Sequence, residues 1–282
     1  MSEPHRPAEG PTHTKRTASP IPGLFALEAA GLIWLDEGPV RCASVLDVAS
    51  DRLILSRIPS APATAEAARD FGAALARTHD LGAEGFGAAP PVPAASTRWD
   101  SPAPTGGWST GWFGPLEHPV EVALSPTASW GAFYGGQRVR PMLKALRGQG
   151  APSSSLRSLE RAAEALEAGR FDDDDAPARI HGDLWSGNLL WNREGAVLID
   201  PAAHGDHREQ DLAFLSVFGA PHLAEILAGY ESAHRLRPGW RDRVGLHQLF
   251  VLAAHAVLFD PPGGGSYLRA ADRAARSALS LL

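Results

Sequence analysis

Three residues with oxygen-bearing side chains stand at a telling spacing near the middle of the chain. In I-H-G-D-L-W-S-G-N-L-L-W, which runs from Ile180 to Trp191, Asp183 and Asn188 are five residues apart. Kinases use that separation to place a base and a metal ligand on one catalytic loop. A β-type run, Ala196 to Ile199, then leads into Asp200 and Pro201, which would return a second carboxylate to the same place. Asn188 and Asp200 offer the oxygen ligands that a hard cation such as Mg²⁺ prefers, and Asp183 is placed to accept or orient the proton of an acceptor hydroxyl. The chemistry this spacing points to is phosphoryl transfer from a nucleotide to a small molecule. D-x-x-x-x-N alone would be weak; H-G-D-L-W-S-G-N followed twelve residues after Asn188 by I-D-P is specific.

The residues between these three have supporting roles. His181, two positions before the base, is expected to hold the loop by hydrogen bonds. Gly187 would let the backbone turn before Asn188. Trp185 could stack on the face of a sugar and cap the acceptor pocket, or simply pack. Leu190 and Ile199 flank the metal ligands; they could form the apolar floor under an adenine ring or serve as ordinary strand core.

Composition narrows the classes. The 282 residues are 44% hydrophobic and 21% charged, an ordinary soluble balance with room for two lobes. A formal charge of −6 provides no basic field for nucleic acid. Cys42 is the single cysteine, so an internal disulfide is excluded and a thiolate zinc site disfavoured. No apolar run approaches the roughly 20 residues of a membrane span, and the N-terminus lacks the apolar centre of a signal peptide. A cytoplasmic location is the expectation. Nothing in the composition speaks to oligomeric state.

Several elements must position the site. Residues 1–12 read as a disordered, proline-rich tail and residues 13–59 as a small β-containing lobe. In that lobe His13 to Ala18 could close a strand, Leu24 to Leu35 carries a helical stripe, and Val40 to Val48 with Arg52 to Ile58 reads as a hairpin. Pro59 to Pro62 is the boundary, and residues 60–282 form a mostly helical lobe. Helices are expected over Thr64 to His79, Trp130 to Leu146, Leu156 to Leu166, Gln210 to Phe218, Leu223 to His234, Arg241 to Leu258 and Tyr267 to Leu281. Asp70-Phe71-Gly72 imitates a metal-binding triplet but falls inside a helical period. Gly82 to Ser125, rich in Gly, Pro and Trp, reads as one long loop. The four aspartates Asp172 to Asp175 read as a solvated linker.

The full pattern H-G-D-L-W-S-G-N with I-D-P-A-A-H-G-D-H-R-E-Q-D-L-A resembles the fructosamine kinase (ketosamine kinase) family, a relative of the aminoglycoside phosphotransferases with a bilobal protein-kinase-like α+β fold. The Trp-Ser pair separates it from aminoglycoside and choline kinases. T-K-R-T, F-A-L-E-A-A-G-L-I-W-L, F-G-A-A-L-A-R-T-H, W-G-A-F-Y-G-G-Q-R and G-W-R-D-R also match, so the resemblance covers most of residues 13–260 and is weakest over 82–125. It implies ATP and Mg²⁺ as cofactors, Asp183 as catalytic base, and Asn188 and Asp200 as magnesium ligands. It also implies Lys15 as the lysine on the α/β-phosphates, Glu28 as its helix partner, and Arg57-Ile58 as the hinge that reads adenine. Asp211 would brace the catalytic loop. Cys42 is expected to be a small core residue.

One departure bears on the nucleotide. Longer members of the family place two strands and a glycine-rich phosphate loop before the lysine, and only fourteen residues precede Lys15 here. The expectation is a truncated N-lobe with a raised KM for nucleotide. Three functions follow in order: phosphorylation of a sugar hydroxyl of a fructosamine or ribulosamine, at C3 by resemblance, as a repair of glycated amines; transfer to an aminoglycoside, another amino sugar or small alcohol; and a catalytically silent pseudokinase.

Overall fold

The Val-, Ile- and Leu-rich stretch from Val45 to Ser56 closes into a hairpin, β2 (Val45–Val48) and β3 (Arg52–Ser56), because such side chains pack well on a half-buried pleated surface. β1 (Thr12–Arg16) pairs antiparallel with the other edge of β3, with Lys15 opposite Leu53, giving the order β1-β3-β2. The computed structural model describes residues 10–93 and 107–282. Of the tail expected over 1–12, residues 1–9 lie outside the described residues and Thr12 already belongs to β1.

Helix α1 (Leu24–Asp36) belongs to two cores at once. Phe25, Ala29 and Leu32 pack with Val48, Leu53 and Leu55 in the small lobe, while Trp34 and Leu35 at its far end enter the core of the large lobe. The strand expected from Val40 to Val48 is only half formed. Its first part leaves the sheet: Leu198 N–H donates to the Arg41 carbonyl (2.8 Å) and Ala43 N–H to the Leu198 carbonyl (3.0 Å). These backbone groups are satisfied by the large lobe rather than by β3. Cys42 therefore sits half-buried between two cores, and burial pushes its thiol far above the ordinary range.

In the large lobe, α2 (Ala65–His79) starts at Thr64, whose hydroxyl accepts the Ala67 N–H. Asp70-Phe71-Gly72 is inside this helix, as its periodicity predicts. Gly72 is needed for packing: a Cβ there would lie 1.9 Å from the Ile226 carbonyl of α7 (Leu223–Ala233), and one on Gly229 would lie 1.9 Å from the Arg69 carbonyl. The two helices cross backbone to backbone.

Three other expectations are corrected. The stretch 82–125 is not one loop: Thr110–Phe113 (β4) and Val120–Ala123 (β5) form a hairpin, its short strands obscured by Gly and Pro in the sequence, while residues 94–106 lie outside the described residues. The helix of Arg241 to Leu258 is two helices, α8 (Trp240–His247) and α9 (Leu249–Phe259). The Tyr134 hydroxyl enters the break, donating to the His247 carbonyl (2.8 Å) and accepting the Phe250 N–H (3.1 Å). The aspartate run is not merely solvated. Asp172 accepts from Gly131 N–H and Ser129 O–H (2.6 Å each) at the start of α3 (Trp130–Phe133), and Asp175 takes Arg208 at 3.0 Å. Asp173 meets His207 and Arg237, and Asp174 pairs with Arg237.

α3 runs through a wide π turn (Tyr134–Val139) into α4 (Arg140–Gly148). Pro141 has no N–H and would collide with the carbonyl four residues back, so the widened turn accommodates it. The freed Gln137 carbonyl accepts from Arg138 instead (3.3 Å). α5 (Ser153–Glu167) and α10 (Ser266–Leu279) complete the main core with α4 and α9. α6 (Glu209–Phe218) opens on a buried polar network, in which Arg243 holds both oxygens of Glu209 and His247 meets it at 3.2 Å. His207, Glu209 and His247 lie close enough together to resemble a metal site, but Arg243 already compensates the carboxylate.

Gly229→Ala should lower the melting temperature by about 5 °C or more, since the crossing must open to admit a methyl group; a calorimetric melt checks it. Burial alone would raise the Glu209 pKa, yet its hydrogen bonds hold it down at about 2. His247 and then Arg243 supply those hydrogen bonds. A depressed pKa contributes stability above the unfolded value near 4.5 that is lost as pH falls towards 2, here about 3 kcal/mol. Urea unfolding between pH 6 and 3 should therefore be steeper in pH for wild type than for Glu209→Gln.

Candidate active site

The site hangs on two small antiparallel pairs that the sequence only half announces. β6 (Ala178–Ile180) pairs with β9 (His204–Asp206), and β7 (Leu189–Asn192) with β8 (Gly195–Leu198). The loop from His181 to Asn188 fills the gap between β6 and β7, and Asp200 follows β8, so both acids emerge at one end. β9 was not predicted, since His204-Gly205-Asp206 carries no strand signal. Gly205 allows a close crossing, as a Cβ there would lie 2.1 Å from the Gly85 carbonyl.

Asp211, in the first turn of α6 and fully buried, accepts the N–H groups of His181 (2.8 Å) and Gly182 (3.0 Å) and faces His79 Nε2 (3.2 Å). These donors hold its carboxyl below the ordinary range although burial works the other way. Asp211 thus braces the loop as expected. His181 does what its position suggested: Nε2–H donates to the Ile199 carbonyl (2.9 Å) and Nδ1 accepts the Asp183 N–H (3.2 Å), with burial keeping the ring neutral. The turn-making glycine of the loop is Gly182, at φ 79, where a Cβ would meet the Ala202 carbonyl at 2.3 Å. Gly187 has another task from the one expected: a Cβ there would lie 2.3 Å from the Trp185 ring, so its absence lets the indole fold across the loop.

Asn188 donates Nδ2 to the Asp183 backbone carbonyl (2.9 Å) and to Asp183 Oδ2 (3.0 Å), and among the described residues Oδ1 has no protein donor. Asp200 takes the left-handed conformation, φ 54, unusual for a non-glycine residue, and turns its carboxylate to Lys15 (3.3 Å). Lys15 Nζ also donates to both oxygens of Glu28 (2.9 and 2.8 Å). Burial pushes Glu28 up to about 7 against the pull of Lys15. The same burial opposes the ammonium, yet Glu28 and Asp200 together hold Lys15 above its ordinary value. Burial likewise raises Asp183 well above the usual carboxylate range, with the Asn188 hydrogen bond opposing and the Asp200 charge adding. Two acids, one free amide oxygen and a lysine make an oxygen-rich, charge-frustrated site that fits a hard divalent cation.

Lys15, Glu28, Asp183, Trp185, Asn188 and Asp200 all line one cavity of about 380 Å³. Trp185 is 39% exposed at its rim and meets Phe218 edge to face, so of its two readings it is not the buried packing residue. Ile58, Leu190 and Ile199 do not line this cavity; Ile58 and Ile199 pack half-buried against the small-lobe core, and Leu190 lies half-buried in β7. Arg57 N–H is donated to the Pro11 carbonyl. Residues that sequence reading missed complete the far wall: Trp112, Arg138, Phe250, His255 and Phe259. Arg138 lay within the quoted W-G-A-F-Y-G-G-Q-R, but nothing in that pattern told which way the side chain faces.

The fructosamine kinase family model matches residues 121–280. A candidate ketoamine kinase from Thermus thermophilus is 30% identical over 273 residues, covering 92% of this chain and 84% of that protein. The crystal structure of a candidate fructosamine-3-kinase from Thermobifida fusca aligns with TM-score 0.80 and 37% identity over 96% of this chain and 86% of that one. A choline/ethanolamine kinase family protein from Mesorhizobium loti has the same fold at TM-score 0.56 and 16% identity, over 96% and 82% of the two chains. The expected bilobal protein-kinase-like α+β fold is the one observed. With three other curated candidate ketoamine kinases the match is partial: the chain spans 36%, 47% and 33% of their lengths. No helix among the described residues is long and apolar enough to cross a membrane.

Asp211→Ala should leave two buried N–H groups without an acceptor and cost about 3 kcal/mol of stability. Asp211→Asn, which keeps one carbonyl oxygen, should cost less; denaturant unfolding of the two variants measures the difference.

Proposed function

Because the chain belongs to the fructosamine kinase family, we propose that it transfers the γ-phosphoryl group of ATP to a sugar hydroxyl, at C3, of a small ketosamine such as a fructosamine or ribulosamine. The observation that carries this reading is the convergence of Lys15, Glu28, Asp183, Asn188 and Asp200 on one cavity with an aromatic rim. Lys15, fixed by Glu28, would bind the α/β-phosphates, and Asn188 Oδ1 with Asp200 would hold Mg²⁺. When bound, the cation would supply charge neutralisation for the phosphates and for the two neighbouring acids.

Asp183 is the base in this reading. Its backbone N–H is tied to His181 and its carboxylate to Asn188, so it meets the acceptor hydroxyl in one orientation. Trp185, exposed at the rim, would cover one face of the sugar. Ile58, Leu190 and Ile199 do not line this cavity, so in this reading any contact they make with the adenine would lie beyond it. Residues 13–59 then act as the nucleotide lobe and 60–282 as the catalytic and acceptor lobe, in a cytoplasmic enzyme acting on small glycated amines.

A polycationic aminoglycoside is a poorer fit. Of the carboxylates lining the cavity, Glu28 and Asp200 are engaged by Lys15, which leaves Asp183 alone for the acceptor, and Arg138 adds positive charge. A silent pseudokinase would have no reason to retain the whole set.

In a coupled ADP-release assay across fructosyl-lysine, ribulosyl-lysine and aminoglycosides, wild type should turn over the ketosamines. Asp183→Asn should lower kcat by about three orders of magnitude or more without loss of fold, the scale of a lost base together with misaligned acceptor. Turnover of aminoglycosides alone would replace the substrate class, and near-wild-type kcat in Asp183→Asn would remove Asp183 as the base.

A further inference from the structure

Among the described residues, Arg138 is a buried cation without a salt bridge. The residue is 1% exposed, yet none of the salt bridges among the described residues includes it. One guanidinium nitrogen, Nη1, donates to the Ala123 carbonyl (2.8 Å) and the Gln137 carbonyl (3.3 Å). The other, Nη2, is buried and has no hydrogen-bond partner. The plane is set between apolar rings, 4.5 Å from the centroid of Phe133 and 5.7 Å from that of Phe250. Asp206, the carboxylate that acts on it electrostatically, is already engaged: Oδ1 accepts Trp130 Nε1–H (2.8 Å) and His207 N–H (2.6 Å), and Oδ2 meets His204 Nε2 (3.2 Å).

An ionised group in such surroundings is costly unless something completes its hydrogen bonds. Arg138 lines the cavity that Asp183 and Trp185 line, on the wall formed by β5 and α9. The other cation of that cavity, Lys15, is satisfied by Glu28 and Asp200. Arg138 is carried by the π turn Tyr134–Val139, and Phe133 and Phe250 flank its guanidinium.

We propose that Arg138 is the carboxylate subsite for the acceptor: it receives the α-carboxylate of a ketosamine formed on a free amino acid, and so selects such adducts over those of simple amines. A planar guanidinium matches a carboxylate in geometry and charge, and the aromatic rings beside it keep water out of the pair. The inference rests on the ketosamine reading above for the identity of the sugar, while the arginine subsite itself is tested by binding alone.

The test is calorimetric titration of the full chain, in the presence of Mg²⁺ and a non-hydrolysable ATP analogue, with N-fructosyl-glycine and with N-fructosyl-methylamine. These ligands differ only in the carboxylate. Wild type should bind the glycine adduct about tenfold or more tightly, the scale of one charge-assisted hydrogen-bonded pair. The ratio should fall to near one in Arg138→Gln and be partly kept in Arg138→Lys. Equal binding of the two sugars by wild type, binding of neither, or an equal weakening of both in Arg138→Gln with the ratio preserved would overturn the subsite. The wild-type comparison needs no variant to fold. Discriminated binding with no phosphoryl transfer would sink the kinase reading and leave the subsite standing.

Discussion

The carboxylate of Asp211 is fully buried and ionised, and the loop from His181 to Asn188 hangs from it. Three donors offset the desolvation that would otherwise favour its neutral form: two backbone N–H groups and the Nε2–H of His79. Its place in the first turn of α6 adds the positive end of the helix dipole. From this anchor the geometry propagates outward. His181, held by its own N–H, donates to the strand that carries Asp200 and accepts from the N–H of Asp183. One buried anion therefore fixes the spacing between the residue read as base and the residue read as metal ligand, and it does so without touching either side chain.

The second constraint joins the lobes. Lys15 reaches from β1 to Glu28 on α1 and to Asp200 beyond β8, so the small sheet is tied to the catalytic hairpin through a half-buried ammonium. α1 is embedded in both cores, and the backbone around Cys42 pairs with Leu198. The charges at the centre are poorly balanced as they stand, with Asp183 and Glu28 both raised by burial. In the proposed reading, a divalent cation and a polyphosphate would balance them.

Much of this was readable in the sequence because the chemistry is local. Asp183, Asn188 and Asp200 lie within one turn-and-hairpin segment, and their spacing alone brings them together. His181 could be assigned a bracing role from its place two residues before Asp183, and Asp211 from the family resemblance of its D-L-A segment. Other features are set by contacts between distant residues. The split between α8 and α9 depends on Tyr134, more than a hundred residues away, and the aspartate run is buttressed by arginines at 208 and 237. The hairpin β4–β5 is too short and too rich in glycine and proline nearby to show a period. Arg138 lies in the π turn that precedes Pro141, which no helical pattern reveals.

The central claim is that this constellation moves a phosphoryl group onto a sugar hydroxyl. It is tested most directly by ³¹P NMR of a reaction containing the protein, ATP, Mg²⁺ and a fructosyl-amine. The account predicts a new phosphomonoester resonance coupled to the sugar C3 proton, growing in step with ADP. Formation of ADP and inorganic phosphate with no sugar ester, or no consumption of ATP while the nucleotide is demonstrably bound, would contradict it.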